Sequence, residues 1–264
     1  MNLRIQNFIK EFVRKYKVEN RAVTDWGEPI VAFASADDPL FLKLKAAVDE
    51  AHKLPTELLG DAETVISYFI PFGKGVVLSN VGGESCSREW AVAYVETNRL
   101  IVELNEQLSR ELRKMGFKSM APPPTGNFIE GKLVSDWSHK HVALVAGLGK
   151  FGLHRMLITE EGCCGRLGSL VTNARMEPTG KPSGEFCLYL REGTCGECVK
   201  KCGFGALKFD SFDRHRCYEI CSSNAKLHSE AGPASACGKC VCAVPCSFRN
   251  PITDRGRNRH HSDA

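Results

Sequence analysis

No stretch of this sequence approaches the ~18 consecutive apolar residues of a membrane span, which excludes a transmembrane helix. The first residues, Met1-Asn-Leu-Arg-Ile-Gln-Asn-Phe8, carry neither the apolar segment of a signal peptide nor a twin-arginine pair. A reduced, cytoplasmic setting is therefore expected, in an organism with a low-oxygen life. Charge of neither sign is in large excess. The 35 Lys and Arg against 31 Asp and Glu leave +4, too weak a field to argue for nucleic acid. Helical and strand patterns mix without a βαβ rhythm, which disfavours a doubly wound sheet and favours an α+β fold. A hydrophobic fraction of 43% suffices for a sizeable core. What the chain has in quantity is cysteine, 13 in 264 residues.

Ten of those 13 lie between Cys187 and Cys246. The core reads Cys195-Gly-Glu-Cys198-Val-Lys-Lys-Cys202, then an isolated Cys217, then Cys237-Gly-Lys-Cys240 running on to Pro245-Cys246, with Cys187 ahead of all. This order reads as a ferredoxin-type module for two [4Fe–4S] clusters. In two-cluster ferredoxins each cubane takes three cysteines from one motif and a fourth from the other. A short C-x-x-C turn wraps one face of a cubane and leaves the far side to the other motif. On that pattern Cys187, Cys195, Cys198 and Cys246 hold one cluster, and Cys202, Cys217, Cys237 and Cys240 hold the other. Cys221 and Cys242 are left over. Two all-cysteine zinc sites would use the same eight residues; a disulfide framework would need an oxidising compartment. The run Cys202-Gly-Phe-Gly-Ala-Leu207 favours iron–sulfur, because small residues let backbone amides approach cluster sulfurs.

Upstream, residues 2–17 form one apolar stripe and predict an amphipathic helix. Pro39–Ala51 and Ser87–Met115 predict two more. Thr64–Ile70 and Arg166–Thr172 predict strands. Ser135-Asp136 predicts the cap of a short helix running to Ala146. Pro178-Thr-Gly-Lys-Pro-Ser183 predicts a linker, and the polar stretch 253–264 a disordered tail.

The segment Gly147-Leu-Gly149-Lys-Phe-Gly152 has dinucleotide-site spacing but follows a predicted helix, so a Rossmann reading is rejected. Its glycines mark a sharp turn, a helix C-cap at Gly147, or a close backbone approach to something bulky. Together, Ala146-Gly-Leu-Gly-Lys-Phe-Gly-Leu153, Ile158-Thr159, Gly165-Arg-Leu-Gly-Ser-Leu-Val-Thr172 and the cysteine module resemble the epoxyqueuosine reductases and their relatives, the reductive dehalogenases. The likeness covers roughly residues 132–251 and is greatest to a short branch of epoxyqueuosine-reductase-like iron–sulfur proteins. It implies a nitroreductase-like α+β domain over 1–183 carrying a corrinoid, and a bacterial-ferredoxin-like module over 184–252. A donor such as a ferredoxin or flavodoxin would feed the clusters, and they the cobalt of cobalamin, which would reduce a small organic or tRNA-base substrate. Alternatively, the protein passes electrons to a separate partner enzyme. A tRNA role is not favoured, because the helical-repeat segment of those reductases is missing from this sequence.

On this reading Gly147, Gly149, Gly152, Arg166, Gly168 and Ser169 bind the cofactor. Asp136 and His141 are the candidate proton donors, with His139 and His154 beside them. Each has a plainer alternative: Asp136 as a helix cap, the histidines as satisfied buried groups, Arg166 in an ion pair. Cys163 and Cys164, between Gly162 and Gly165, are expected to be accessible free thiols. Cys86 is expected at a helix start or in the core.

Overall fold

Thr64–Pro71 is buried along its whole length, and the principal sheet is built around it. In this computed structural model residues 1–129 and 131–253 are described. The predicted tail lies outside them from residue 254, and Thr253 itself closes a helical turn by donating its hydroxyl to Asn250 O. The chain divides into two compact units: residues 1–70, 96–148 and 165–181, and residues 71–95, 149–164 and 182 onward. The crossing at 181–182 falls inside the Pro178–Ser183 segment.

In the first unit a four-stranded sheet runs in the order Ile30–Ser35, Thr64–Pro71, Gly165–Thr172, Ser119–Met120. The first pair is antiparallel, with Ile30 opposite Phe69 and Ser35 opposite Thr64. Helix Asn2–Glu19 buries Ile5, Ile9, Val13 and Tyr16. Helix Arg88–Lys114, from Glu96 onward, adds Leu100, Ile101, Leu104, Leu108 and Leu112. Spacings of three and four residues put each set on one face, and these residues close the core with Phe33, Ile66, Tyr68 and Leu170.

Two expected boundaries move. The second helix ends at Ala47, because the Asp49 carboxylate accepts the Ala51 amide at 3.0 Å and turns the chain. The helix expected after Ser135-Asp136 spans His139–Val145 with Ser138 at its N-cap. Ser135 is instead in a short strand opposite Phe128, and its hydroxyl bridges the Trp137 amide and carbonyl.

The second unit opens with helix Lys74–Ser79 and the first turns of the long helix. A hairpin pairs Gly149–Phe151 with Leu157–Thr159. The cysteine-rich part holds helices Leu188–Glu192, Glu197–Lys201 and Arg214–Leu227, with 3-10 turns at Ser229–Ala231 and Lys239–Val241. Among the described residues no helix is long and apolar enough to cross a membrane.

Candidate metal centre

Cys187 stands at the N-cap of Leu188–Glu192, Cys198 lies in Glu197–Lys201, and Cys202 ends that helix. Cys217 and Cys221 share one face of Arg214–Leu227, four residues apart. None of the 13 cysteines is paired in a disulfide among the described residues. The Cys198 thiol is pushed up to about 12, first by burial and then by the sulfurs of Cys246, Cys187 and Cys195. Cys240 is raised first by burial, then by Cys237, Cys217 and Cys202. Burial likewise leads the rise at Cys237, with Cys217 and Cys202 adding to it. Cys198 thus neighbours Cys246, Cys187 and Cys195, and Cys240 neighbours Cys237, Cys217, Cys202 and Cys198. Thiols raised in this way, as at Cys198, Cys237 and Cys240, resist ionisation unless a cation compensates them, so such donors suit a metal and metal uptake would release protons. The backbone amide of Leu207 donates to Cys202 Sγ at 3.4 Å, the approach that the small residues after Cys202 permit. Cys221 hydrogen-bonds Cys217 and lies near Cys237 and Cys240. Cys86 is buried just ahead of the long helix, and burial with Cys237 nearby pushes its thiol up to about 11.

Cys163 and Cys164 are not accessible. Both are buried because Gly162, at φ +83, presses the loop onto the 246–248 backbone; a Cβ there would overlap Ser247 O. The Cys163 amide donates to Cys246 O at 3.0 Å. Cys164 donates its S–H to Val241 O at 3.1 Å and neighbours Cys242, whose sulfur accepts from Asn80 Nδ2 at 3.4 Å. His154 Nε2 lies 3.3 Å from Cys246 Sγ, and Cys163 Sγ lies 4.0 Å from it. The ligand atoms of His154, Cys163 and Cys246 lie within 4.8 Å of one another, all three residues buried. Cys163 and then His154 hold the Cys246 thiol down to about 5 against its burial. Sequence reasoning missed this grouping; its signal was Gly162 and Gly165 around paired cysteines.

The remaining candidates lie in the first unit, apart from Gly149 and Gly152. Trp137 Nε1 donates to Ser169 Oγ at 2.9 Å, Ser169 Oγ lies 2.9 Å from His139 Nδ1, and His139 Nε2 lies 2.9 Å from Pro123 O. Donors and acceptors alternate along this chain, so Ser169 and a neutral His139 tie the proline-rich loop at 121–126 to the sheet. Arg166 joins the same loop to the long helix, donating to Pro124 O at 3.2 Å and to Asn98 Oδ1 at 2.8 Å. Asp136 pairs with Lys53 at 2.9 Å and, with Phe128 and Trp137, lines a cavity of about 490 Å³. His141 Nδ1 lies 2.7 Å from Ser138 Oγ.

Burial, chiefly, pushes His139 and His141 down to about 4, below the unfolded value of about 6.5. Both folded-state values are depressed. Their contribution is complete above about pH 6.5 and is lost as pH falls toward about 4, by up to about 3 kcal/mol each. Denaturant midpoints should fall across that window, and His139→Leu should flatten the slope. An unchanged slope in that variant would contradict the assignment.

The nominated glycines are filled from within the chain. A Cβ at Gly149 would strike Ile158 O, one at Gly152 would meet His154 Cε1 at 2.7 Å, and one at Gly168 would meet the Tyr68 ring. Gly147 takes φ +87 just past the helix end, the C-cap alternative. These positions offer a corrinoid no cradle.

The chain matches no protein-family model and no curated protein sequence. Among solved structures it is similar to an epoxyqueuosine reductase from Bacillus subtilis, at 16% identity and TM-score 0.55, over 92% of this chain and 66% of that one. A catabolic reductive dehalogenase in complex with 3-bromo-4-hydroxybenzoic acid matches at 18% identity and TM-score 0.57, over 86% of this chain and 31% of that one. A further reductive dehalogenase, whose structure bears on B12-dependent dehalogenation, matches at 17% identity and TM-score 0.56, over 89% and 32%. This chain thus spans just under two thirds of the reductase and about a third of the dehalogenases. Its α and β elements are arranged in a fold like that of these epoxyqueuosine reductase and reductive dehalogenase structures.

Proposed function

We propose that the chain is an iron–sulfur oxidoreductase. Its ferredoxin-like module, residues 184–252, holds one [4Fe–4S] cluster on Cys187, Cys195, Cys198 and Cys246 and a second on Cys202, Cys217, Cys237 and Cys240. Residues 1–183 would be the nitroreductase-like domain. The observation that carries this is the proximity of the thiols: Cys198 lies near Cys246, Cys187 and Cys195, and Cys240 near Cys237, Cys217 and Cys202, with Cys198 beyond them. The clusters would take electrons one at a time from a ferredoxin- or flavodoxin-type donor. The protein's part is to exclude water, hold the thiolates, and stabilise them by donors such as the Leu207 amide. Dithionite should bleach the visible absorption of anaerobically purified protein; a colourless protein containing zinc would overturn the reading.

The acceptor admits two readings. Likeness to a dehalogenase linked to B12 nominates a corrinoid, with Asp136 as proton donor beside the cavity it lines. His141, neutral near pH 7, is better suited to accept a proton than to give one. The occupied glycine positions favour the other reading, transfer to a separate partner protein, and no step is assigned to cobalt. Titrating cob(II)alamin into the anaerobic protein separates them. An unchanged EPR spectrum of the cobalamin is expected from a carrier, and a perturbed one would establish corrinoid binding.

A further inference from the structure

We propose that His154 and Cys163 are positioning residues for the Cys246 thiolate, and that their hydrogen bonds raise the reduction potential of the cluster that thiolate helps to hold. This rests on the two-cluster reading above. The His154 ring accepts the Met156 amide at Nδ1, 3.1 Å away. A neutral ring then carries its proton on Nε2, the atom 3.3 Å from Cys246 Sγ. Cys163 Sγ, 4.0 Å from the same sulfur, supplies an S–H donor.

The arrangement is built by the backbone. His154 sits in the turn of the hairpin joining Gly149–Phe151 to Leu157–Thr159, closed by Gly152 N–H to Met156 O at 2.9 Å. Gly152 leaves room for the ring, since a Cβ there would lie 2.7 Å from His154 Cε1. Gly162 leaves room for the loop that carries Cys163 onto the 246–248 backbone. Two of the chain's glycines are thus explained by the delivery of these two donors to one sulfur.

The same three residues have spacings close to those of a mononuclear tetrahedral site, whose edges are about 3.8 Å between sulfurs and about 3.6 Å between sulfur and nitrogen. The tautomer decides against it. A metal on Nε2 would require the ring proton on Nδ1, directed at the Met156 amide hydrogen, whereas ligating histidines give that proton to an acceptor. A donor to the thiolate fits the network. Such a donor stabilises the reduced cluster, whose added negative charge is spread partly over its sulfurs, more than the oxidised one.

The test is an EPR-monitored redox titration under anaerobic conditions, with iron and sulfide analysis, on wild type, His154→Leu, His154→Gln and Cys163→Ala. One of the two midpoints should move to more negative potential in His154→Leu and in Cys163→Ala, with iron and sulfide unchanged. His154→Gln keeps an N–H donor and should lie between wild type and His154→Leu. Intact clusters with unmoved midpoints in both His154→Leu and Cys163→Ala would overturn this proposal alone, as would loss of iron from His154→Leu. Wild-type protein without labile sulfide would instead overturn the two-cluster reading on which it stands.

Discussion

Cys198→Ala should lose half of the iron and half of the acid-labile sulfide of the anaerobically purified protein, and Cys240→Ala should lose the other half. Cys198 lies near Cys246, Cys187 and Cys195, and Cys240 near Cys237, Cys217, Cys202 and Cys198; on the proposed assignment, removing one thiolate leaves a cubane corner without a protein ligand. The proposed crossover would make the quartets distinct in content but linked in sequence, because Cys246 of one lies six residues beyond Cys240 of the other. Cys242→Ala should retain full iron, since the Cys242 sulfur is engaged with Cys164 and Asn80. Iron and sulfide determination on the three variants checks this. Full iron in Cys198→Ala would contradict the ligand assignment.

Removal of the metal should unfold the cysteine-rich segment and leave the first unit standing. Leu188–Glu192 and Glu197–Lys201 are five residues each, far below the length at which a helix holds alone. Metal binding to sites of this kind contributes on the order of 10 kcal/mol to folding. The first unit keeps its own core, from Ile5 and Ile9 through Leu104 and Leu108 to Leu170. After anaerobic chelation, limited proteolysis should cut within 184–252 while most of the helical circular dichroism persists. An unchanged cleavage pattern there would mean the metal has no structural role.

Much of this architecture was legible in the chain. Residues 2–19 and 88–114 carry apolar residues at helical spacing over many turns, and 64–71 is a continuous apolar and β-branched run. The cysteine order pointed to a metal-binding module because ligand spacing is a local property of a turn. What sequence could not show was which distant segments share a site. His154 and Cys163 reach Cys246 across 92 and 83 residues, and only a hairpin turn and a glycine-bearing loop bring them there. The same blindness misled the reading of the glycines. A residue without a side chain marks a close approach, but the approaching group proved to be the chain's own Ile158, His154 or Tyr68. Arg166 and Ser169 likewise looked free to bind a cofactor, and the fold directs them to the proline-rich loop and to Trp137.

Mössbauer spectroscopy of protein produced with 57Fe, combined with zinc and sulfide analysis of the same sample, tests the central claim most directly. Two [4Fe–4S] clusters predict a spectrum of delocalised tetrahedral iron–sulfur sites, with labile sulfide equal to iron and no stoichiometric zinc. Stoichiometric zinc on these cysteines, with neither labile sulfide nor an iron–sulfur spectrum, would contradict it.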